Sequence, residues 1–199
     1  MKVTELDQLT GTLSKPSKMP GWSYGIPAKE CKVGSKLAKI PGTVCHGCYA
    51  LKGCYVFPVV QAAQYKRLAA IDNPLWVKAM AAQILRRRSK YFRWHDSGDL
   101  QSLKHLAKFF AVARLTPDVN HWLPTREAWV KPYIARAPKN LVIRFSMPMI
   151  DQPAAESWPH TSTVVTTGRT CPAPDQNNTC GDCRACWDPN VKNVAYGKH

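Results

Sequence analysis

Eight cysteines fall in two groups, one near each end of the 199-residue chain. The C-terminal group, CPAPDQNNTCGDCRAC, contains Cys171, Cys180, Cys183 and Cys186. Its C-x2-C-x2-C core is the run with which ferredoxins supply three thiolates to a [4Fe–4S] cluster, while the fourth comes from elsewhere. Gly181 allows a tight turn between the ligands, and Cys171 is a natural fourth ligand. This spacing predicts an iron–sulfur site.

The N-terminal group follows a different pattern, C-x13-C-x2-C-x5-C, formed by Cys31, Cys45, Cys48 and Cys54. The two-residue spacer between Cys45 and Cys48 is typical of a metal-binding knuckle, and we expect Cys31 to close a loop back to it. Cys54 is either a fourth ligand or a free thiol beside a cluster with one open iron. An open iron can bind a substrate or cofactor, whereas a closed cluster only transfers electrons.

Zinc and disulfides are the alternatives to iron–sulfur clusters. Zinc ribbons pair two knuckles across about 15–20 residues, whereas the two cysteine groups here lie far apart. The C-terminal run also has one thiolate more than a zinc knuckle supplies. The N-terminal sequence has no apolar stretch typical of a secretory signal, so we expect a reducing cytoplasm, where disulfides are rare. The spacing leaves open whether there are two clusters or one assembled from both groups.

The chain is strongly basic, with 28 Lys and Arg against 13 Asp and Glu and a formal net charge of +15. Such a surplus favours anionic partners: nucleic acid, a nucleotide-like cofactor or an acidic protein. The run Arg86–Arg88 followed by Lys90 is either a solvated helix end or a nucleic-acid contact. No stretch of about 18 uncharged apolar residues is present, so we expect no membrane partner.

The segments between the cysteine groups alternate between helical and strand patterns. Helices are predicted for four segments, 59–71, 74–90, 100–115 and 126–137. Strands are predicted for four others, 91–95, 119–123, 140–147 and 161–167. This order implies parallel strands, and the chain is too short for a complete eightfold barrel. We therefore predict one α/β domain over residues 1–199, a partial (β/α) barrel or an open parallel sheet. Its parts are an irregular cysteine-rich segment (1–58), a β/α core (59–167) and a second irregular cysteine-rich segment (168–199).

Polar residues follow or end the predicted strands, where chemistry gathers in parallel α/β folds. The candidates for contact with a substrate or cofactor are Asp96, Asp99, Arg126, Glu127 and Arg144. Asp99 or Ser97 could instead cap the next helix, and Arg126 with Glu127 could form a salt bridge. Arg144 stands in an apolar strand. A buried arginine needs a carboxylate or phosphate, so we expect it to pair with an acid of this rim or to face a ligand.

Five stretches of the chain resemble the bacteriophage "gene product 88" domain family: PAKECKVGSKLAKIPGTVCHGCYALKGCY, FRWHDSGDLQSLKHL, HWLPTRE, NLVIRFS and CGDCRACWD. The resemblance runs from about Pro27 to His199. Seven cysteines fall on motif positions of the family, whereas Cys54 falls where no cysteine is expected. The resemblance implies a viral protein made in the host bacterial cytoplasm.

A weaker resemblance is to radical S-adenosylmethionine enzymes, in which three cysteines and a nearby aromatic hold a cluster with one open iron on a partial β/α barrel. Cys31, Cys45, Cys48 and Tyr49 look like a stretched version, with thirteen residues in place of three between the first two cysteines. The C-terminal group looks like an auxiliary cluster site. This resemblance implies S-adenosylmethionine as a cofactor.

Three functional classes follow from these observations. The leading hypothesis is a phage-encoded protein with one or two [4Fe–4S] clusters, acting as a redox protein or cluster carrier toward a partner protein. The first alternative is a radical S-adenosylmethionine-like enzyme with one open-iron cluster. The second is a nucleic-acid-binding metalloprotein that uses Arg86–Arg88.

Overall fold

The computed structural model describes residues 2–198, which are organised around a sheet of six parallel strands. The strands are β1 (Trp22–Tyr24), β2 (Tyr91–Trp94), β3 (Asn120–Thr125), β4 (Leu141–Ile150), β5 (Thr161–Val165) and β6 (Asn193–Gly197). They lie side by side in chain order, each parallel to its neighbours, with β1 and β6 at the two edges. This confirms the prediction of an open parallel sheet.

The helices of the described residues pack beside this sheet. The α-helices are α1 (Val3–Thr10), α2 (Lys32–Leu37), α3 (Pro58–Ala70), α4 (Trp76–Arg86) and α5 (Leu103–Leu115). The 3-10 helices span 28–30, 49–51, 53–56, 128–136 and 173–175. The segment 128–136 is not the predicted α-helix because Pro132 lies inside it and cannot donate a backbone hydrogen bond. Within residues 2–198, no helix is both long and apolar enough to cross a bilayer.

The two segments predicted to be irregular contain regular elements, so that part of the prediction is wrong. Helix α1 and strand β1 lie before the first cysteine, α2 follows it, and β6 ends the C-terminal segment. Strand β1 has only three residues, too few for a side-chain period to be recognised. It forms because β2 supplies its backbone hydrogen-bond partners, in register from Trp22 with Phe92. Strand β6 forms in the same way on the other edge, against β5.

The two faces of the sheet pack against different parts of the chain, because successive side chains of a strand point to opposite faces. One face packs on the helices, with Trp94 stacked on Phe109 of α5 at 3.9 Å between ring centroids. The opposite face is covered by the C-terminal cysteine segment, where Trp187 packs on Trp122 of β3. Its indole nitrogen donates to the carbonyl of Phe92 at 2.9 Å. The sheet therefore separates an apolar core from a face that carries the cysteines.

Candidate metal centre

A cavity of about 740 Å³ opens at the carboxyl ends of the strands, and both cysteine groups contribute to its wall. The cysteines that line it are Cys31, Cys45, Cys48, Cys171, Cys180 and Cys186. Cys183 is half-buried beside Cys180, whose carbonyl accepts its backbone amide at 2.9 Å. Cys54 is exposed and forms no part of this wall. Residues more than 100 positions apart in the sequence are thus brought to one cavity.

The N-terminal cysteines converge because a tight turn and a glycine allow close approach. The amide of Cys48 donates to the carbonyl of Cys45 at 3.1 Å, which closes the knuckle. The sulfurs of Cys31 and Cys45 each lie 3.6 Å from the position that a Cβ on Gly34 would take. The two sulfurs are therefore separated by no more than twice that distance. The structure brings Cys31 back to the knuckle.

Burial is the largest influence on the pKa values of Cys31 and Cys45. It raises the pKa of Cys31 above its ordinary range, and the charges of Asp99 and Cys48 act in the same direction. Burial also raises the pKa of Cys45, against the opposing effect of the Arg126 charge. Thiolates in this position need a positive charge nearby, and a metal would supply it.

The C-terminal cysteines are gathered by backbone contacts with the N-terminal part of the chain. The amide of Cys180 donates to the carbonyl of Lys18 at 2.8 Å. Burial raises the pKa of Cys180, and the neighbouring Cys171 adds to this effect. Burial likewise raises the pKa of Cys186 to about 11, although its hydrogen bond with the Tyr196 hydroxyl, 3.0 Å away, lowers it. The thiols of this group therefore share one partly buried site.

Arg144 has a different role from the one predicted. It is fully buried, yet it does not line the cavity, and its guanidinium donates to main-chain carbonyls. The shortest of these bonds reach residues 185, 191, 188 and 186, at 2.7, 2.8, 2.9 and 3.0 Å respectively. No carboxylate pairs with it within residues 2–198. The expected acid partner is thus replaced by the folded cysteine segment itself, which Arg144 fastens to the sheet.

Asp99 connects the ends of two strands and does not cap a helix. Its carboxylate accepts bonds from the hydroxyl of Thr125 at 2.7 Å and the amide of Arg126 at 2.8 Å. Burial raises its pKa to about 6 despite these bonds. Helix α5 is capped by Ser102, which accepts from the amide of His105, so the predicted capping by Asp99 or Ser97 is wrong.

Arg126 and Glu127 contact separate partners and do not form the alternative salt bridge with each other. Arg126 donates to the carbonyls of Ser146 and Met147 at 3.0 and 2.7 Å, on the wall of the cavity. Glu127 is buried and accepts from the amide of Val33 at 3.2 Å. This bond ties the end of β3 to the helix after the first cysteine. Glu127 therefore supports the cysteine loop, while Arg126 borders the cavity.

Several polar groups of the cavity wall have no hydrogen-bond partner within the described chain. The atoms concerned include one carboxylate oxygen of Asp96, the hydroxyl of Ser97, the indole nitrogen of Trp122 and both ring nitrogens of His95. Burial lowers the pKa of His95 well below its ordinary value, which keeps the ring neutral. Buried polar groups are normally paired. The unpartnered atoms are themselves buried, so they lie behind the surface of the cavity and are not exposed to it.

Arg93 is a site residue that the sequence reasoning missed. It lies on the cavity wall, 4.5 Å from the centroid of the Trp122 ring, and donates to the hydroxyl of Tyr49 at 3.3 Å. Its charge also acts on the thiol of Cys186. It therefore lies between the two cysteine groups. The sequence feature that could have identified Arg93 is its place in the strand YFRWH, where it points to the face opposite the apolar Phe92.

Fold and site together define an α/β protein with an open parallel sheet and two cysteine groups at one cavity beside the carboxyl ends of its strands. The chain belongs to the gene product 88 family, a bacteriophage-associated family whose model matches residues 2–189. This confirms the resemblance found in the sequence and extends it toward the N-terminus. Neither the curated proteins nor the solved structures contain a match. Nothing in these comparisons supports the resemblance to radical S-adenosylmethionine enzymes.

Proposed function

We propose that this phage protein binds iron–sulfur clusters at two sites facing one cavity. Under this proposal the C-terminal site uses Cys171, Cys180, Cys183 and Cys186, and the N-terminal site uses Cys31, Cys45 and Cys48. The observation that carries the proposal is that six of these seven cysteines line a single cavity, with Cys183 next to Cys180, while Cys54 is exposed elsewhere. Free cysteines that had no common role would not be expected to converge in this way.

A single ion and an iron–sulfur cluster require different distances between the thiolate sulfurs. A tetrahedral zinc ion with bonds of about 2.3 Å holds its sulfurs about 3.8 Å apart. In the described part of the chain, no three His, Cys, Asp or Glu side chains approach closely enough to share one ion. A [4Fe–4S] cubane places each thiolate on a different iron and therefore accepts wider separations.

The positive charges around the cysteines also support clusters. Four thiolates on a [4Fe–4S]²⁺ core carry a net charge of −2, which is costly to bury without compensation. The charge of Arg126 acts on Cys45, and the charges of Arg93 and Arg144 act on Cys186. These cations have no carboxylate partner within residues 2–198. The negative charge of a bound cluster would compensate the positive charge of these arginines.

An enzyme with one open iron is the second candidate, and the position of Cys54 favours it. With Cys54 outside the cavity wall, the N-terminal site offers three thiolates, which leaves one corner of a cubane free. That corner would face a cavity with room for a small molecule. S-adenosylmethionine is the cofactor to test first. A redox protein or cluster carrier would need neither an open iron nor a cavity.

Iron and sulfide analysis of anaerobically purified protein tests the main proposal. We expect stoichiometric iron and sulfide. We also expect an absorption band at about 400 nm that fades on reduction. Replacing Cys180 with Ala should remove the cluster of one site, and replacing Cys48 with Ala that of the other. A colourless protein that holds zinc in place of iron would contradict the proposal.

Electron paramagnetic resonance distinguishes the two functional classes. The variant Cys180→Ala retains only the N-terminal cluster, so the signal of its reduced form comes from that site. Addition of S-adenosylmethionine should shift this signal if the cofactor binds an open iron. An unchanged signal would favour the redox or carrier class. The variant Cys48→Ala, which retains only the C-terminal cluster, is the matched control and should show no shift.

A further inference from the structure

The hydroxyl of Tyr196 contacts a cysteine of the proposed C-terminal site without being a ligand itself. Its oxygen lies 3.0 Å from the sulfur of Cys186. Either group can donate the hydrogen while Cys186 is a thiol. A cysteine that binds iron does so as a thiolate, so in the loaded site only the hydroxyl has a hydrogen to donate. The contact then becomes an O–H···S hydrogen bond to a cluster ligand.

Strand β6 holds the tyrosine in this position. Tyr196 pairs with Val164 of β5 in the register of the sheet, and both residues line the cavity. The preceding residue, Ala195, accepts the amide of Cys171 through its carbonyl at 3.0 Å. One strand thus carries the hydroxyl and also fastens another cysteine of the same site.

Cys186 is fastened to the sheet by contacts that do not involve Tyr196. Its carbonyl accepts the nitrogen Nε of Arg144, which belongs to β4, at 3.0 Å. The next residue, Trp187, packs on Trp122 of β3. Cys186 and Tyr196 both pack against the apolar cluster that contains these two tryptophans. Separate contacts therefore position the two ends of the hydrogen bond before any cluster binds.

The surroundings of Cys186 oppose the effect of its burial. Burial raises the pKa of this thiol to about 11, whereas the hydrogen bond with Tyr196 lowers it. The charges of Arg93 and Arg144 act in the same direction as the hydrogen bond. Each of these contributions stabilises negative charge on the sulfur. Burial also raises the pKa of Tyr196 well above its ordinary value, so the hydroxyl keeps the hydrogen that it donates.

We infer that the hydrogen bond from Tyr196 raises the reduction potential of the C-terminal cluster. This inference rests on the proposed iron–sulfur function. A one-electron reductant loses one electron, the cluster passes from [4Fe–4S]²⁺ to [4Fe–4S]⁺, and no covalent bond forms or breaks. The added electron increases the negative charge on the ligand sulfurs. A hydrogen bond to one of these sulfurs therefore stabilises the reduced form more than the oxidised form.

Redox titration of the iron-loaded Cys48→Ala variant tests this inference, because that variant retains only the C-terminal cluster. Addition of Tyr196→Phe removes the hydroxyl and keeps the ring. We expect the ratio of reduced to oxidised cluster at a fixed solution potential to fall about tenfold, which corresponds to a reduction potential about 59 mV lower. The iron content should stay unchanged, because no ligand is lost.

Electron–nuclear double resonance detects the donated proton itself. The reduced Cys48→Ala variant should show a proton that is coupled to the cluster and that disappears after exchange into D₂O. Addition of Tyr196→Phe should remove this proton signal. The first of these measurements uses protein in which Tyr196 is intact, so it does not depend on the folding of the Tyr196→Phe variant. Absence of the exchangeable proton signal there would overturn the inference.

Tyr91→Phe in the same Cys48→Ala background is the matched control. Tyr91 packs against the same apolar cluster as Tyr196, but within residues 2–198 its hydroxyl makes no hydrogen bond to a cysteine sulfur. This control should keep the potential of its parent. An equal fall in both variants would assign the effect to packing and overturn the inference.

The remaining outcomes separate this inference from the proposed function. An unchanged potential in iron-loaded Tyr196→Phe protein would overturn the role of the hydroxyl and leave the proposed function intact. A Cys48→Ala variant without iron would show that the C-terminal site holds no cluster, which would overturn the proposed site and the inference together.

Discussion

Replacement of Arg144 is the sharpest test of how the C-terminal site is held. The side chain is fully buried, and its guanidinium forms four bonds of 3.0 Å or less to carbonyls of residues 185–191. Two weaker contacts of 3.4 Å reach the carbonyls of Thr161 and Lys192. Arg144→Met preserves the aliphatic stem but removes every donor. The carbonyls of the cysteine segment would then be left without their shared partner.

The expected loss follows from these contacts. A hydrogen bond from a charged group contributes about 1.5–3 kcal/mol, but such bonds are not additive, because the buried charge itself costs energy. Removal of one side of a buried charged network typically costs about 3–5 kcal/mol. We therefore expect the free energy of unfolding to fall by about 3–5 kcal/mol. Where the chain still folds, the C-terminal segment should detach from β4.

Urea unfolding of the metal-free protein measures this loss without any assumption about clusters. Arg144→Lys keeps the charge with fewer donors and should give an intermediate loss. Arg114→Met is the matched control: Arg114 is exposed and makes a single bond to the carbonyl of Arg136, so the change should be within about 0.5 kcal/mol. In iron-loaded protein, Arg144→Met should lose about half of the iron, because the C-terminal site loses its support. Wild-type stability in Arg144→Met would refute the assigned role.

Three further predictions concern the cysteines, the glycine beside them and the buried His121. Cys54→Ala should leave the iron content unchanged, whereas Cys48→Ala should lose about half of it; equal losses would place Cys54 among the ligands. Gly34→Val should release the N-terminal cluster because a Cβ there would lie only 3.0 Å from the Cβ of Cys31 and the added methyl groups would have to fit beside two sulfurs, while Gly47→Val, with no atom within 4 Å of its Cβ, should retain its iron. Iron analysis that gave the same content for both would contradict the convergence. Burial lowers the pKa of His121 to about 3, so the folded protein keeps this ring neutral while the unfolded chain protonates it below about pH 6.5. Its contribution to stability is complete above pH 6.5 and shrinks as the pH falls, by about 2 kcal/mol at pH 5. His121→Gln should reduce the slope of the unfolding free energy between pH 7 and pH 5, to which the buried His95 and His105 also contribute, and a curve parallel to the wild type would rule this assignment out.

The sequence predicted the middle of the fold well because its patterns are local there. Strands β2 to β5 are apolar runs with helices between the first three of them, and this order requires parallel pairing. The predicted α3 differs from the observed helix by one residue at each end. The edge strands were missed because three to five residues give no usable period. Only their pairing with β2 and β5 defines them.

At the candidate site, the sequence determined which side chains are available, and tertiary structure decided what each one contacts. The two cysteine groups and the polar residues after the strands were recognisable from type and spacing. All but one of the carbonyls that accept from Arg144 lie 41 to 48 residues away along the chain. The position of Arg93 depends on Trp122 in the next strand. Such partners are set by packing between distant segments, for which a local pattern carries no signal. For the same physical reason, the sequence left the role of Cys54 open, and only the folded chain showed that it lies away from the cavity.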